Sequence, residues 1–161
     1  MGGVVECFLE GGEEVRSPLV QCRIDPLGQI SIVSTHDQVL GGPSGQIFLG
    51  STFPADAEYS RDIREAGRWV AEVLKQRGAL GRFAIDFLST RREGNWEHAA
   101  IEINLRKGGT THPYLMLQFL TDGTYDSENG LYCTPTGQPC YYYASVTCGA
   151  RRIRVLPPKT W

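Results

Sequence analysis

The segment Ala99-Ala-Ile-Glu-Ile-Asn-Leu-Arg106 alternates strictly between apolar and polar positions, the pattern of a half-buried strand. Ile101, Ile103 and Leu105 fall on one face, which is predicted to sit on a core. Glu102, Asn104 and Arg106 fall on the other, spaced ~7 Å apart. Upstream, Val4–Leu9 reads as a strand punctuated by Gly11-Gly12. Residues 18–24 and 29–34 flank Asp25-Pro-Leu-Gly28, whose Pro and Gly favour a type I hairpin turn. Thr35-His36-Asp37-Gln38 then leads to the Gly41-Gly-Pro-Ser-Gly45 loop and a short strand over 46–50. Asp56 is placed to cap a helix ending near Arg77 and stopping at Gly78. Ile63, Ala66, Val70, Val73 and Leu74 line one side of it, with Arg61, Arg64, Glu65, Arg68, Glu72 and Lys75 elsewhere.

Residues 81–89 form the next strand. The turn Arg91-Arg-Glu-Gly-Asn95 makes it an antiparallel neighbour of 99–106. A second helix is predicted from Thr111-His112-Pro113, with Pro in its first turn. Its run from Tyr114 to Leu120 is nearly all apolar, so it is either buried or docked on a neighbour. Residues 124–139 are polar with several Gly and Pro and read as a long loop. Residues 141–146 and 152–156 read as a final strand pair about Gly149. The fold class is therefore α+β, mainly antiparallel sheet with two helices. Residues 1–123 are expected to form the main unit and 124–161 a loop-rich tail.

The 161 residues suffice for a sizeable core, and a formal net charge of −2 argues against a general nucleic-acid binder. No apolar run approaches 18 residues, so no membrane segment and no export signal is expected. Cys7, Cys22, Cys133, Cys140 and Cys148 are odd in number and contain no Cys-x-x-Cys pair, which fits a reduced, cytoplasmic setting.

Candidate chemistry gathers around residue 102. Hard oxygen donors two residues apart, Glu102 and Asn104, suit a Mg²⁺ ion that also holds phosphates. A guanidinium two further on, Arg106, suits a phosphate or carboxylate. Asp86 is the one carboxylate of an apolar strand and needs compensation, either from a metal or from an ion pair with Arg106 or Arg82. His36 with Asp37 can be read as an acid–base pair, but such clusters more often cap turns, and no nucleophile lies nearby in sequence.

Glu-x-Asn-x-Arg on a strand, preceded by an Asp on the neighbouring strand, resembles the C-terminal half of an ATP-grasp ligase. The run Glu102-Ile-Asn-Leu-Arg-Lys-Gly-Gly-Thr-Thr-His-Pro113 is most similar to the carboxylate–amine ligases, and among them to the pheganomycin-type peptide ligases. The resemblance extends from about Val4 to about Gly123. It implies the C-terminal subdomain of an ATP-grasp fold, using ATP and two Mg²⁺ ions, with Mn²⁺ as a substitute. By the same resemblance, Asp86, Glu102 and Asn104 match the metal ligands, and Arg106 the residue that stabilises the transferring phosphoryl group. Glu6, Phe8 and Leu9 would lie along adenine. Glu13 would accept from the ribose hydroxyls, with Glu14 its competitor. Gly108, Gly109, Thr110 and His112 would face the acyl substrate. The implied partners are ATP, a small carboxylate, and an amine or peptide, joined through an acylphosphate.

Two departures from the family pattern stand out. Some relatives carry an arginine two residues before the metal Asp, but Ala84 stands there and Arg82 is a full strand period away. The family's glycine-rich loop and nucleotide-binding lysines precede the adenine hinge, yet no lysine precedes Lys75. The resemblance thus implies a C-terminal half completed by an N-terminal ATP-grasp half, with weak nucleotide binding and poor turnover by the chain alone. The alternative is a non-catalytic binding or regulatory domain derived from that fold.

Overall fold

The Asp25–Gly28 turn forms as its sequence predicts. Gly28 N–H donates to the Asp25 carbonyl at 2.9 Å, and the Asp25 carboxylate accepts from the amides of Leu27 and Gln29. In the computed structural model, which describes Leu9 and residues 11–146, this turn joins β2 (Pro18–Ile24) to β3 (Ile30–Gly41). Before it lies β1 (Glu14–Arg16), and after it come β4 (Ile47–Phe53) and α1 (Ala57–Gln76). The chain continues through β5 (Gly81–Arg92), β6 (Asn95–Asn104), α2 (Thr111–Thr121), β7 (Thr124–Asp126), β8 (Leu131–Cys133) and β9 (Tyr142–Ser145).

All pairings are antiparallel. β5 lies between β6 on one side and β1 with β2 on the other, and the sheet then runs through β3 and β4 to β9. β7 and β8 form a separate hairpin. The expected class, an antiparallel sheet with two helices, is the class observed.

Each face of the sheet has its own cover. Val20, Cys22, Ile24, Phe83, Ile85 and Phe87 alternate onto one face and are buried by Tyr59, Ile63 and Ala71 of α1. Gly67 allows the close approach, because a Cβ there would meet Val20 Cγ1 at 2.8 Å. Asp56 caps the helix by accepting from the Glu58 amide, and Gly78 follows its end with φ +78°, as expected of a helix stop. On the opposite face Phe53, Tyr114 and Tyr132 form a second apolar cluster that seats α2 and the β7–β8 hairpin.

Several expectations are corrected. Residues 35–38 are not a turn: β3 runs on to Gly41, and His36 is wholly buried in mid-strand. Arg64, assigned to the charged side of α1, is also buried. Its guanidinium donates to Ser60 Oγ and to the Glu128 carbonyl, which ties the β7–β8 turn to the helix. β6 starts earlier than predicted and stops at Asn104, so Arg106 is off the strand; its amide closes a tight turn onto the Asn104 carbonyl at 2.8 Å.

Ile101, Ile103 and Leu105 do not lie in the core but are 46%, 46% and 64% exposed. Ile103 is paired with the buried Ile85, yet β6 is the sheet's outer strand, and α1 packs against its first half, at Trp96 and His98. In α2 only Thr111 and Tyr114 are buried, and Leu115, Met116, Phe119 and Leu120 are exposed. The Tyr141–Val146 stretch supplies β9, which pairs with β4; its expected partner over 152–156 lies outside the described residues. Among the described residues no helix is long and apolar enough to cross a membrane.

This packing separates two residues that the sequence puts on one helical face. Ile63→Ala removes wholly buried methylenes from the main core and is expected to cost ~2–5 kcal/mol, whereas Val73→Ala, at a position 48% exposed, should stay within ~0.5 kcal/mol. Urea denaturation of the two variants checks the difference.

Candidate functional site

The two-residue turn Glu93-Gly94, with φ of 50° and 77°, sets the register of the β5–β6 hairpin. Pairing runs from Arg92↔Asn95 to Phe87↔Ala100, then shifts by one, so that Asp86 faces Glu102, Ile85 faces Ile103 and Ala84 faces Asn104. Ile101 is the extra residue of a bulge. Without it, the hairpin register would carry Glu102 to the α1 side of the sheet. With it, Asp86, Glu102 and Asn104 share the face away from α1.

Asn104 Nδ2 donates to Asp86 Oδ2 at 3.1 Å, which leaves the amide oxygen directed elsewhere. Burial raises the Asp86 pKa to about 6, and the Glu102 charge across the ladder adds to the rise, while the Arg106 charge opposes it. The expected alternative, a direct ion pair of Asp86 with Arg106 or Arg82, is not formed; no such contact occurs within 4.0 Å among the described residues. Two facing carboxylates and a free amide oxygen are a hard-oxygen set suited to Mg²⁺. The described residues contain no group of three or more His, Cys, Asp or Glu able to hold a metal ion. A bound ion would therefore draw its remaining oxygens from water or phosphate.

The other expected residues are placed as follows. Glu6 and Phe8 lie outside the described residues. Leu9 is exposed, and Glu13 is exposed beside the far end of β5, its amide donating to the Arg91 carbonyl. Its competitor Glu14 is engaged by Arg16 and Arg91, which leaves Glu13 the freer carboxylate. Gly108 and Gly109 lead from Arg106 to α2, and a Cβ on Gly109 would come within 3.1 Å of the Phe48 ring. Thr110 is buried and holds the N-cap position without capping, because its Oγ1 accepts from Gln21 Nε2 at 2.6 Å. His112 is exposed on the first turn of α2.

Sequence reasoning missed the polar layer beneath that turn. His36 Nε2 lies 2.9 Å from Ser34 Oγ, and its Nδ1 lies 3.1 Å from the Tyr142 hydroxyl, which in turn reaches the Thr110 carbonyl at 3.5 Å. With the Gln21–Thr110 bond, this layer ties the start of α2 to β2, β3 and β9. Only the alternation of Gln21, Ser34 and His36 with apolar neighbours hinted at it. The acid–base reading of His36 and Asp37 fails on geometry. The Asp37 carboxylate accepts instead from the Tyr59 hydroxyl and the Asp56 amide, bracing the start of α1. A Ser89–His98–Asp62 string on the α1 side has a 2.7 Å Ser–His bond, but Ser89 is wholly buried and no substrate can reach it.

An antiparallel sheet covered by two helices is also the fold that this chain shares with solved structures. The chain resembles the biotin carboxylase of Campylobacter jejuni solved as a complex with β,γ-ATP: TM-score 0.52, 21% identity, 65% of this chain and 22% of that one covered. It also resembles the biotin carboxylase domain of Hydrogenobacter thermophilus 2-oxoglutarate carboxylase, solved with MgADP and bicarbonate: TM-score 0.51, 20% identity, covering 65% and 22%. The family model for the IQCH-like ATP-grasp domain matches residues 1–128, and the chain belongs to that ATP-grasp family. It is 35% identical to the L-propargylglycine–L-glutamate ligase of Streptantibioticus cattleyicolor over 99% of its own length, and spans 31% of that protein.

The buried imidazole makes stability depend on pH. Burial lowers the His36 pKa from its usual 6.5 to about 3, so between these values the unfolded chain binds a proton that the folded chain refuses. Stability contributed by neutral His36 is complete above pH ~6.5 and is lost as pH falls toward ~3, by up to ~1.4 kcal/mol per pH unit. Asp86, whose pKa is raised to about 6, acts in the opposite sense below that pH. The His36 share is therefore the difference between wild type and His36→Gln in urea midpoints at pH 7, 6, 5 and 4, and wild type should lose stability relative to the variant as pH falls.

Proposed function

We propose that this chain carries the metal- and phosphate-binding part of an ATP-dependent carboxylate–amine ligase. The single observation behind the reading is the facing of Asp86 and Glu102 across β5 and β6, with Asn104 on the same face. Such an arrangement is costly unless a cation joins it, and the 35% identity to an amino-acid ligase supports the same conclusion.

In this reading Asp86, Glu102 and Asn104 would hold the two Mg²⁺ ions. When bound, the ions neutralise charge on the nucleotide phosphates. Glu6, Phe8 and Leu9 would lie along adenine in this reading, and Glu13 would accept from the ribose hydroxyls. The substrate carboxylate attacks the γ-phosphorus, the bond to ADP breaks, and an acylphosphate forms. The amine then attacks the acyl carbon, phosphate departs and the amine proton is lost. Arg106, on the tight turn past β6, would offer its guanidinium to the transferring phosphoryl and the acylphosphate oxygens.

Because the Thr110 hydroxyl is taken by Gln21, the loop serves the acyl group through the backbone at Gly108 and Gly109, with His112 at its rim. The polar layer around His36 fixes that loop against the sheet. The reading includes a second wall over the phosphates, carried by an N-terminal ATP-grasp half, so the isolated chain is expected to bind nucleotide weakly and to turn over slowly. The setting is cytoplasmic, where ATP and reduced cysteines are both at hand.

Calorimetric titration with Mg²⁺ and the non-hydrolysable analogue AMP-PNP tests the assignment. The wild-type chain should bind the nucleotide only with the metal present. Glu102→Gln and Asp86→Asn should each weaken that binding by ~10-fold or more, a loss seen even for groups that merely support a ligand. Metal-independent binding, or variants that bind as well as wild type, would leave a derived, non-catalytic domain as the better description.

A further inference from the structure

Beyond the carboxylates, the same face of the sheet bears two arginines with no counterion among the described residues. Arg82 precedes Asp86 by four residues on β5 and faces Arg23 of β2 directly in the ladder. Like charges in directly opposed positions destabilise an antiparallel pair. Neither guanidinium has a carboxylate within 4.0 Å among the described residues, whereas Arg16, Arg61, Arg68, Arg91 and Arg92 each have one. Arg82 Nη1 is moreover buried without a hydrogen-bond partner. Its charge reaches Tyr114, one turn into α2, where it opposes the burial-driven rise of the phenol pKa. The first turn of α2 above is left without a side-chain cap, since Thr110 is diverted to Gln21, two residues before Arg23. A buried N–H lacking an acceptor, an opposed like charge and an uncapped helix start all call for an anion.

Position along β5 identifies which anion. Glu13 marks the Arg91 end of the strand, Asp86 its middle and Arg82 the opposite end, ~13 Å beyond Asp86. A nucleotide running from the Glu13 end to the Asp86–Glu102 pair stops short of Arg82. We infer that Arg82 and Arg23 form a subsite for a second, non-reacting carboxylate of the acid substrate, which is therefore a dicarboxylate held by one end while the other reacts near Arg106. The planar guanidinium fork matches a carboxylate in a way that a lysine would not. This deepens the ligase reading by naming a substrate class, and it rests on that reading for where the nucleotide lies and for which end of the acid reacts.

The probes are glutarate and butyrate, which differ in whether a second carboxylate is present, titrated into the full chain with and without saturating Mg²⁺ and AMP-PNP. Glutarate should bind ~10-fold or more tightly than butyrate, the scale of one charge-assisted pair. Arg82→Gln, and independently the exposed Arg23→Gln, should bring that ratio within ~2-fold while leaving AMP-PNP affinity unchanged; thermal unfolding verifies that both variants fold. Equal binding of the two acids by wild type overturns the proposal. So does a variant that loses AMP-PNP affinity but keeps the ratio, which would assign the arginines to nucleotide phosphate. If AMP-PNP fails to bind while the ratio is present and vanishes in both variants, the dicarboxylate subsite stands and the nucleotide reading falls.

Discussion

Two carboxylates facing each other across a pair of antiparallel strands repel, and everything near this site answers that repulsion. Asp86 is half-buried, its pKa is raised to about 6, and the amide of Asn104 and the charge of Arg106 offset part of the cost. A fold does not need such a pair for packing. It persists because the Glu93-Gly94 turn fixes one register and the bulge at Ile101 changes it, so that backbone geometry forces the side chains together. The strain is electrostatic and local, and a divalent cation between the groups would turn it into attraction.

The rest of the face extends the same logic. The α1 side of the sheet is mainly apolar, and its buried core supplies the stability. The opposite side is polar where it could have been apolar: Gln21, Ser34 and His36 are buried beneath α2, each with a partner. Buried polar networks of this kind specify a single arrangement more than they strengthen it. What this one specifies is the start of α2 and, with it, the Gly108-Gly109 approach that follows Arg106. Arg82 and Arg23 complete the face at its other end, where no described carboxylate matches their charge.

Much of this was legible in the chain. Alternation located β5 and β6, the Pro and Gly of residues 25–28 gave the hairpin, and Asp56 with Gly78 bracketed α1, because each signal is local. Asp86 read as anomalous from its apolar neighbours alone. The misreadings share one cause. Ile101, Ile103 and Leu105 look like core residues, and Arg64 looks like a solvated one, because periodicity reports which face a side chain occupies and not whether another element covers that face. The edge position of β6 exposes the isoleucines, and the β7–β8 turn buries the arginine.

By itself, then, the sequence determined the elements, the antiparallel class and the kinds of oxygen donor on offer, since propensity, turn chemistry and side-chain type are properties of short stretches. Tertiary structure alone decided that residue 102 faces residue 86 and not 85, because a one-residue bulge inverts the side of the sheet and leaves no mark on the alternation that follows it. It also decided that Gln21, His36, Thr110 and Tyr142, far apart along the chain, share one buried layer. Such pairings are fixed only when distant strands close on each other.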